Sequence, residues 1–417
     1  MNHKKKILIS LFAFLLISSL TIFFTSGLSS NFKIKSFNIK TGDILNLKSE
    51  SPEVNLGGIA EKLFSRVFNP FQAKTIFAQT SPLDLLFIKT IGGGNNDFCY
   101  SIQQTSDGGY VMAGHTLSYT FFFQEGEFFV VKLDSSGNLS WAKAIGLERA
   151  DGAHSILQTP DGGYVILGNS RLSSGNLTPI LVKLDSSGNF SWGRRFSIGG
   201  GVHMDLYSIQ QTSDGGYVMA GWVDPSPING NYDMVVYKVN SSGELSWAKI
   251  IGGRDWEEAR FIRQTSDGGY IIVGEFTNRF SSLSDFFVVK LDSFGNLSWA
   301  KIIGDPNKGE TGESIRETSD GGYVIVGADL VVKLDSSGNL SWAKRIGSSS
   351  LYDVQQISEG GYVITGTYNR GEGTLVLKLN SFGDFLWAKK ITIGQSTYGY
   401  SIQQTSDGGY IIGGAAY

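Results

Sequence analysis

Short runs of apolar and β-branched residues, broken by clusters of Gly, Asp, Ser and Asn, cover most of this chain, and the same runs return again and again. Gly-Gly-Tyr recurs with its first glycine at Gly108, Gly162, Gly215, Gly268, Gly321, Gly360 and Gly408. A Trp strand recurs at Trp141, Trp192, Trp247, Trp299, Trp342 and Trp387, with Phe87 as a degenerate first copy. A Val-Val-Lys-Leu-Asp-Ser-Ser-Gly-Asn element appears with its glycine at Gly137, Gly188, Gly243, Gly295, Gly338 and Gly383. The first full unit predicts four strands, Trp141 to Ile145, Ser155 to Thr159, Tyr164 to Leu167 and Ile180 to Leu184. Asp-Gly-Gly and Asp-Ser-Ser-Gly-Asn join them as tight turns, in which glycine supplies a positive φ without steric cost. No helical period appears inside the unit, which excludes leucine-rich and ankyrin arrays. Four antiparallel strands in roughly 50 residues, repeated about seven times, predict an all-β fold, a β-propeller of about seven four-stranded blades over residues 75–417.

The Val-Val-Lys-Leu strand occurs only six times, so one blade lacks a strand. Superposing Phe87 on Trp141 puts Ile76, Phe77 and Ala78 at the place of Val130, Val131 and Lys132. The expectation is that this N-terminal segment closes the ring and removes two sheet edges. A chain cut short at its C-terminus is the alternative.

Ahead of the repeats, Lys4, Lys5 and Lys6 precede an uncharged, mostly apolar run from Ile7 to Phe24. Residues 1–30 therefore read as a signal peptide or an N-terminal membrane anchor, and residues 31–74 as a spacer. The protein is expected to be secreted or at the cell surface, with the membrane involved only through residues 7–24 if they are not cleaved. Composition agrees with many short strands and tight turns: 54 glycines, 8 prolines and 12% aromatics. A net charge of −3 gives no reason to expect nucleic acid as a partner. The single Cys99 cannot form an internal disulfide.

The most repeated residues read as structural. A Trp at one point of every unit packs between blades. Asp134, Asp185, Asp292 and Asp335 cap their own turns. Function is expected where the copies differ. Just before the Ser-Ile-Gln-Gln strand the equivalent positions hold Tyr100, His154, Tyr207, Arg260, Glu313, Tyr352 and Tyr400. Three residues upstream stand Asp97, Asp151, Glu257 and Glu310, and the two sets together predict an acidic and aromatic rim able to hold a cation, a sugar or a peptide. The variable loop after the Gly-Tyr-Val strand carries Phe121, Phe122, Phe123, Trp222, Tyr232, Phe276, Phe280, Tyr368 and Arg370, raw material for recognition. The histidines show no metal-ligand spacing, and no nucleophile elbow, phosphate loop or cofactor motif occurs in a strand-to-helix context.

The stretch Ser-Ile-Gln-Gln-Thr-Ser-Asp-Gly-Gly-Tyr-Val-Met-Ala-Gly, with Phe-Phe-Val-Val-Lys-Leu-Asp-Ser-Ser-Gly-Asn-Leu-Ser-Trp-Ala-Lys, resembles the seven-bladed β-propeller repeats of exported bacterial proteins, mostly of unknown function. The resemblance implies a secreted or surface scaffold and carries no catalytic residues. The Leu-Asp-x-x-Gly-x-x-x-Trp portion is also similar to the Trp-docking turn of quinoprotein dehydrogenases, though one residue shorter. It is similar in spirit to the Asp-boxes of sialidases, with a longer Asp-to-Trp spacing. The reading is a non-catalytic extracytoplasmic binding or adhesion scaffold, a monomer without cofactor whose partner is a protein or glycan. The alternative is a glycan-active hydrolase or lyase, or a quinoprotein-like enzyme, on the same fold.

Overall fold

A computed structural model describes residues 54–55, 88–92, 95–118, 126–145, 149–171, 175–197, 202–224, 232–253, 255–280, 283–305, 308–347 and 349–417, with 54–55 and 149–151 as backbone only. The apolar run 7–24, the N-terminal strand segment and Phe121–Phe123 lie outside the described residues. Four consecutive strands form the first blade: β2 (Asp97–Gln104), β3 (Tyr110–Thr116), β4 (Glu127–Leu133) and β5 (Leu139–Ile145), antiparallel and in sequence order. The same order builds the blades β6–β9 (149–195), β10–β13 (204–252), β14–β17 (256–303), β18–β21 (314–345) and β22–β25 (349–391). A two-stranded sheet follows, β26 (Thr397–Gln404) with β27 (Tyr410–Ala416), and a two-residue strand, β1 (Val54–Asn55), adds in parallel to the outer edge of the third blade.

The expectation of about seven four-stranded blades is therefore corrected: among the described residues six sheets have four strands and a seventh has two. Among the described residues β27 pairs with β26 alone. The first strands of successive units, β2, β6, β10, β14, β18, β22 and β26, nevertheless meet in a closed sevenfold ring, with β26 against β2. Two hydrogen bonds cross that last junction, from Gln104 N–H to Gln403 Oε1 (2.6 Å) and from Ser406 N–H to Gln104 Oε1 (2.9 Å).

The core lies between blades. Each cluster of buried aliphatic residues joins one sheet to the next, as Val111, Val130, Ile156, Ile166 and Val182 do for the first two, and Ile411 of β27 packs on Tyr110 and Val131 of the first blade. The repeated tryptophan seals these seams. Trp141 meets Tyr164 of the following blade edge-on at 5.6 Å, and the pairs Trp247–Tyr270, Trp299–Tyr323 and Trp387–Tyr410 repeat that contact. Its other neighbour is the turn glycine of the next blade. Gly188 has φ +76°, and a Cβ there would sit 3.1 Å from the Trp141 ring, so both conformation and space demand glycine. Asp134 caps its turn as expected, accepting from Ser136 N–H (2.9 Å) and Asn138 N–H (2.7 Å). A second recurring device pins the Gly-Gly-Tyr turn: the buried Lys132 donates to Asp107 at 2.8 Å, and Lys183–Asp161, Lys238–Asp214, Lys290–Asp267 and Lys333–Asp320 do the same.

Candidate functional site

Six of the seven innermost strands carry a β-bulge at one repeated position. The pairing skips Tyr100, His154, Tyr207, Arg260, Tyr352 and Tyr400, so each is the extra residue of its bulge. Glu313 holds the same position immediately before β18 and donates its N–H to Val326 O at 2.9 Å. A bulge leaves one residue unpaired and re-aims its side chain. The close approach this requires explains another repeated glycine, opposite the bulge on the second strand. A Cβ on Gly221 would fall 2.0 Å from the carbonyl oxygen of Asp205, and one on Gly114 1.8 Å from that of Phe98. The sequence therefore builds a bulge with a glycine on one strand and uses it to present a variable side chain from the other.

Six of the seven variable side chains form one continuous chain of contacts. Tyr100 lies 5.4 Å from Tyr400 and 6.4 Å from His154, ring to ring. His154 meets Tyr207 edge-on at 5.1 Å, Arg260 sits over the Tyr207 ring at 5.0 Å, and Tyr352 meets Tyr400 at 5.3 Å. Glu313 holds the equivalent position between Arg260 and Tyr352, and its charge acts on both. All seven are half-buried. These positions offer aromatic faces at five places counting His154, with one cation and one carboxylate at the other two.

Further side chains stiffen this ring. Phe98 stacks on Tyr100 at 5.8 Å and Tyr398 on Tyr400 at 6.0 Å, and Tyr417 meets both Phe98 and Tyr398 edge-on. Trp222 donates from Nε1 to the Tyr207 hydroxyl at 2.8 Å while packing on Tyr232 at 4.5 Å, so this loop aromatic belongs to the ring's support. Asn169 bridges His154 (2.9 Å) and Asp205 (2.8 Å). Glu258 lies 3.2 Å from Arg260. Burial pushes the Glu258 carboxyl up to about 7 against the pull of Arg260, and burial likewise raises Glu313.

The acidic row behaves differently. Asp97 accepts from Ser118 Oγ at 2.7 Å and from Thr116. Glu257 is buried and accepts from Gly253 N–H at 3.2 Å, and burial together with Asp233 pushes it up to about 8. Glu310 is buried against Arg345, which also pairs with Asp329. The side chain of Asp151 lies outside the described residues. These described carboxylates hold loops and strand ends together, so the expected acidic and aromatic rim is corrected to an aromatic ring of mixed charge. Side chains alternate across a strand, and the bulge breaks that alternation between the two sets. Among the other loop aromatics, Phe276 packs inward on Phe287, whereas Phe280 is exposed under Arg279.

Among the described residues no group of three His, Cys, Asp or Glu side chains is placed to hold a metal ion. Burial pushes the Cys99 thiol up to about 12, which removes it as a nucleophile.

No protein-family model and no curated protein matches the chain. Among solved structures it is similar to a protein of unknown function from Bacteroides caccae, at 13% identity and TM-score 0.42, covering 63% of this chain and 89% of that one. It is also similar to the Pan2 WD40 domain of Neurospora crassa, at 14% identity and TM-score 0.49, covering 76% and 85%. A protein of unknown function from Dyadobacter fermentans follows at 14% identity and TM-score 0.42, covering 63% and 93%. None of these likenesses assigns a function.

Proposed function

We propose that this propeller is a non-catalytic binding scaffold whose recognition surface is the ring of bulge residues, and that it works outside the cytoplasm on a protein or glycan partner. The observation that carries the reading is the continuous chain of contacts from Arg260 through Tyr207, His154, Tyr100 and Tyr400 to Tyr352, with Glu313 at the equivalent position between its two ends. Structural side chains in this repeat are the same in nearly every copy, whereas these differ while occupying one geometric position. Tyrosines offer flat, amphipathic area at low entropic cost, suited to a sugar face or an inserted side chain. The test is binding to glycan and displayed-peptide panels by the wild-type protein and by Tyr400→Ala. Ligands retained by wild type should be lost by the variant, and undiminished binding by the variant would overturn the reading.

A glycan-active enzyme is the second reading, favoured by one observation: Glu258, held near 7 by burial, stands beside Arg260 and Tyr207. A carboxyl in that range can pass a proton at neutral pH. Cleavage of a bound glycan that disappears in Glu258→Gln while binding persists would select this reading over the first.

Residues 75–80 are proposed to supply a strand to the seventh sheet and so complete a seventh blade. In support, β27 leaves a cavity of about 570 Å³ between the sixth and first blades, lined by Ile391, Val376, Phe129, Tyr410 and Ile412, and Ile88–Gly92 enter beside it. Deleting residues 75–80 should lower the melting temperature, and an unchanged value would refute closure.

A further inference from the structure

The inner edge of each innermost strand faces the propeller axis, where among the described residues no further strand accepts its N–H groups, and buried N–H groups need partners. At three junctions the preceding blade supplies them from two side chains. Ser101 Oγ accepts from Ile156 N–H (3.2 Å) and Gln103 Oε1 from Gln158 N–H (2.8 Å). Ser208 and Gln210 serve Ile262 (3.2 Å) and Gln264 (2.5 Å), and Asp353 and Gln355 serve Ile402 (3.0 Å) and Gln404 (3.2 Å).

Between β14 and β18 this pattern inverts. Phe261 and Arg263 occupy the serine and glutamine positions, and neither carries an acceptor. The N–H groups of Ile315 and Glu317, counterparts of Ile156 and Gln158, therefore receive no such partner from β14. Arg263 adds more donors: it makes no hydrogen bond to any described residue, and its Nε is buried without one. Its neighbour Arg316 is fully engaged, with Nη1 donating to Ser314 Oγ (2.9 Å) and Ile315 O (3.0 Å) and Nη2 to Asp353 Oδ1 (2.9 Å). Both guanidinium groups lie over the Phe261 ring, at 5.1 Å and 4.3 Å from its centre. Two cations against the single carboxylate of Asp353 leave one positive charge uncompensated in a confined space.

We propose that this part of the channel binds a small oxyanion, a carboxylate or phosphate group, on the free fork of Arg263. A guanidinium presents parallel donors that match two oxygens of such a group, and the unserved N–H groups add to them. Burial and the adjacent Arg316 hold the Arg263 guanidinium down to about 9, still charged at neutral pH, and a bound anion removes the repulsion between the two. The site lies three residues along the strand from the bulge at Arg260 and does not depend on what the ring above it binds.

The test uses the full chain titrated with acetate and, separately, inorganic phosphate at constant ionic strength. A saturable rise in melting temperature of about 3–5 °C is expected with one or both, and the responding arm identifies the oxyanion. Arg263→Gln restores the acceptor that other copies carry, so it should melt no lower than wild type without anion and lose the saturable response. Arg263→Lys keeps the charge without the fork and should need at least tenfold more anion. Indifference of the wild type to both anions, or an Arg263→Gln response with an unchanged midpoint, would overturn the proposal.

Discussion

Adding one methyl group at two glycines of this propeller should change stability in opposite directions. Gly221 lies on the second strand of the third blade, opposite the Tyr207 bulge. A Cβ there would stand 2.0 Å from Asp205 O, 2.7 Å from Leu206 Cα and 2.8 Å from Asp205 C, all of them backbone atoms. No rotamer change relieves that contact, and relief requires pulling β10 away together with the bulge. Overpacking of this kind costs about 1–3 kcal/mol, offset by roughly 0.4–1 kcal/mol from the stiffer unfolded chain. Because the obstacle is backbone, the upper part of the range applies, and the net loss is about 2 kcal/mol. Gly193 is the contrast. It stands where other copies have Ala142, Ala248, Ala300, Ala343 and Ala388, and the nearest atom to a Cβ there is 3.5 Å away. Only the unfolded-state term remains, so Gly193→Ala should gain roughly 0.5 kcal/mol. The two variants should thus differ by about 2.5 kcal/mol, or roughly 3–4 °C in thermal unfolding followed by tryptophan fluorescence. Gly221→Ala should also lose the Trp222–Tyr207 hydrogen bond. A Gly221→Ala protein as stable as wild type, or a Gly193→Ala protein destabilised equally, would refute the reasoning.

Three further expectations follow from the same contacts. Trp247→Ala removes the ring that covers Tyr270 and the Gly295 turn and should cost about 3 kcal/mol, read from the denaturation midpoint. Glu257 is pushed up to about 8 by burial, so the folded state keeps a proton that the unfolded chain releases near 4.5; stability is therefore highest below that value and declines as pH rises through 8. Glu257→Gln should remove this decline, making the variant more stable than wild type at pH 9 and similar at pH 4, and parallel profiles would count against it. Asp107, Asp161, Asp214, Asp267 and Asp320 are held down to about 2, burial being overcome by hydrogen bonds from lysine and threonine, so their contribution is present above the ordinary carboxylate range and lost as pH falls toward 2. These carboxylates are more than 60% exposed, so solvent screens each pair, and the acid transition should shift with salt and be blunted in Asp161→Asn.

The sequence made the turns and the strand order legible because a repeat multiplies weak signals, though strands such as Arg149–Gln158 and Tyr164–Arg171 run longer than the repeat predicts: one Asp-Gly-Gly is a turn, and six of them are an architecture. It did not reveal why Gly114, Gly168, Gly221 and Gly274 recur. Each has an ordinary backbone conformation, and its need for glycine comes from the carbonyl of another strand, a contact visible only after pairing. The bulge those glycines permit is also why Asp97, Glu257 and Glu310 were grouped wrongly with the ring, since strict alternation cannot be counted across an extra residue. The same logic identifies the informative substitutions. Leu157, Arg263 and Arg316 replace a glutamine whose carbonyl otherwise serves the next blade, and only the structure shows that this glutamine has a partner to lose. Leu157 returns something for the loss by packing on the buried Leu181 and Tyr217 cluster, and Arg316 by binding Asp353. Arg263 returns a stacking contact on Phe261 but no hydrogen bond among the described residues, and an exchange that adds donors without partners is where a ligand is to be sought first.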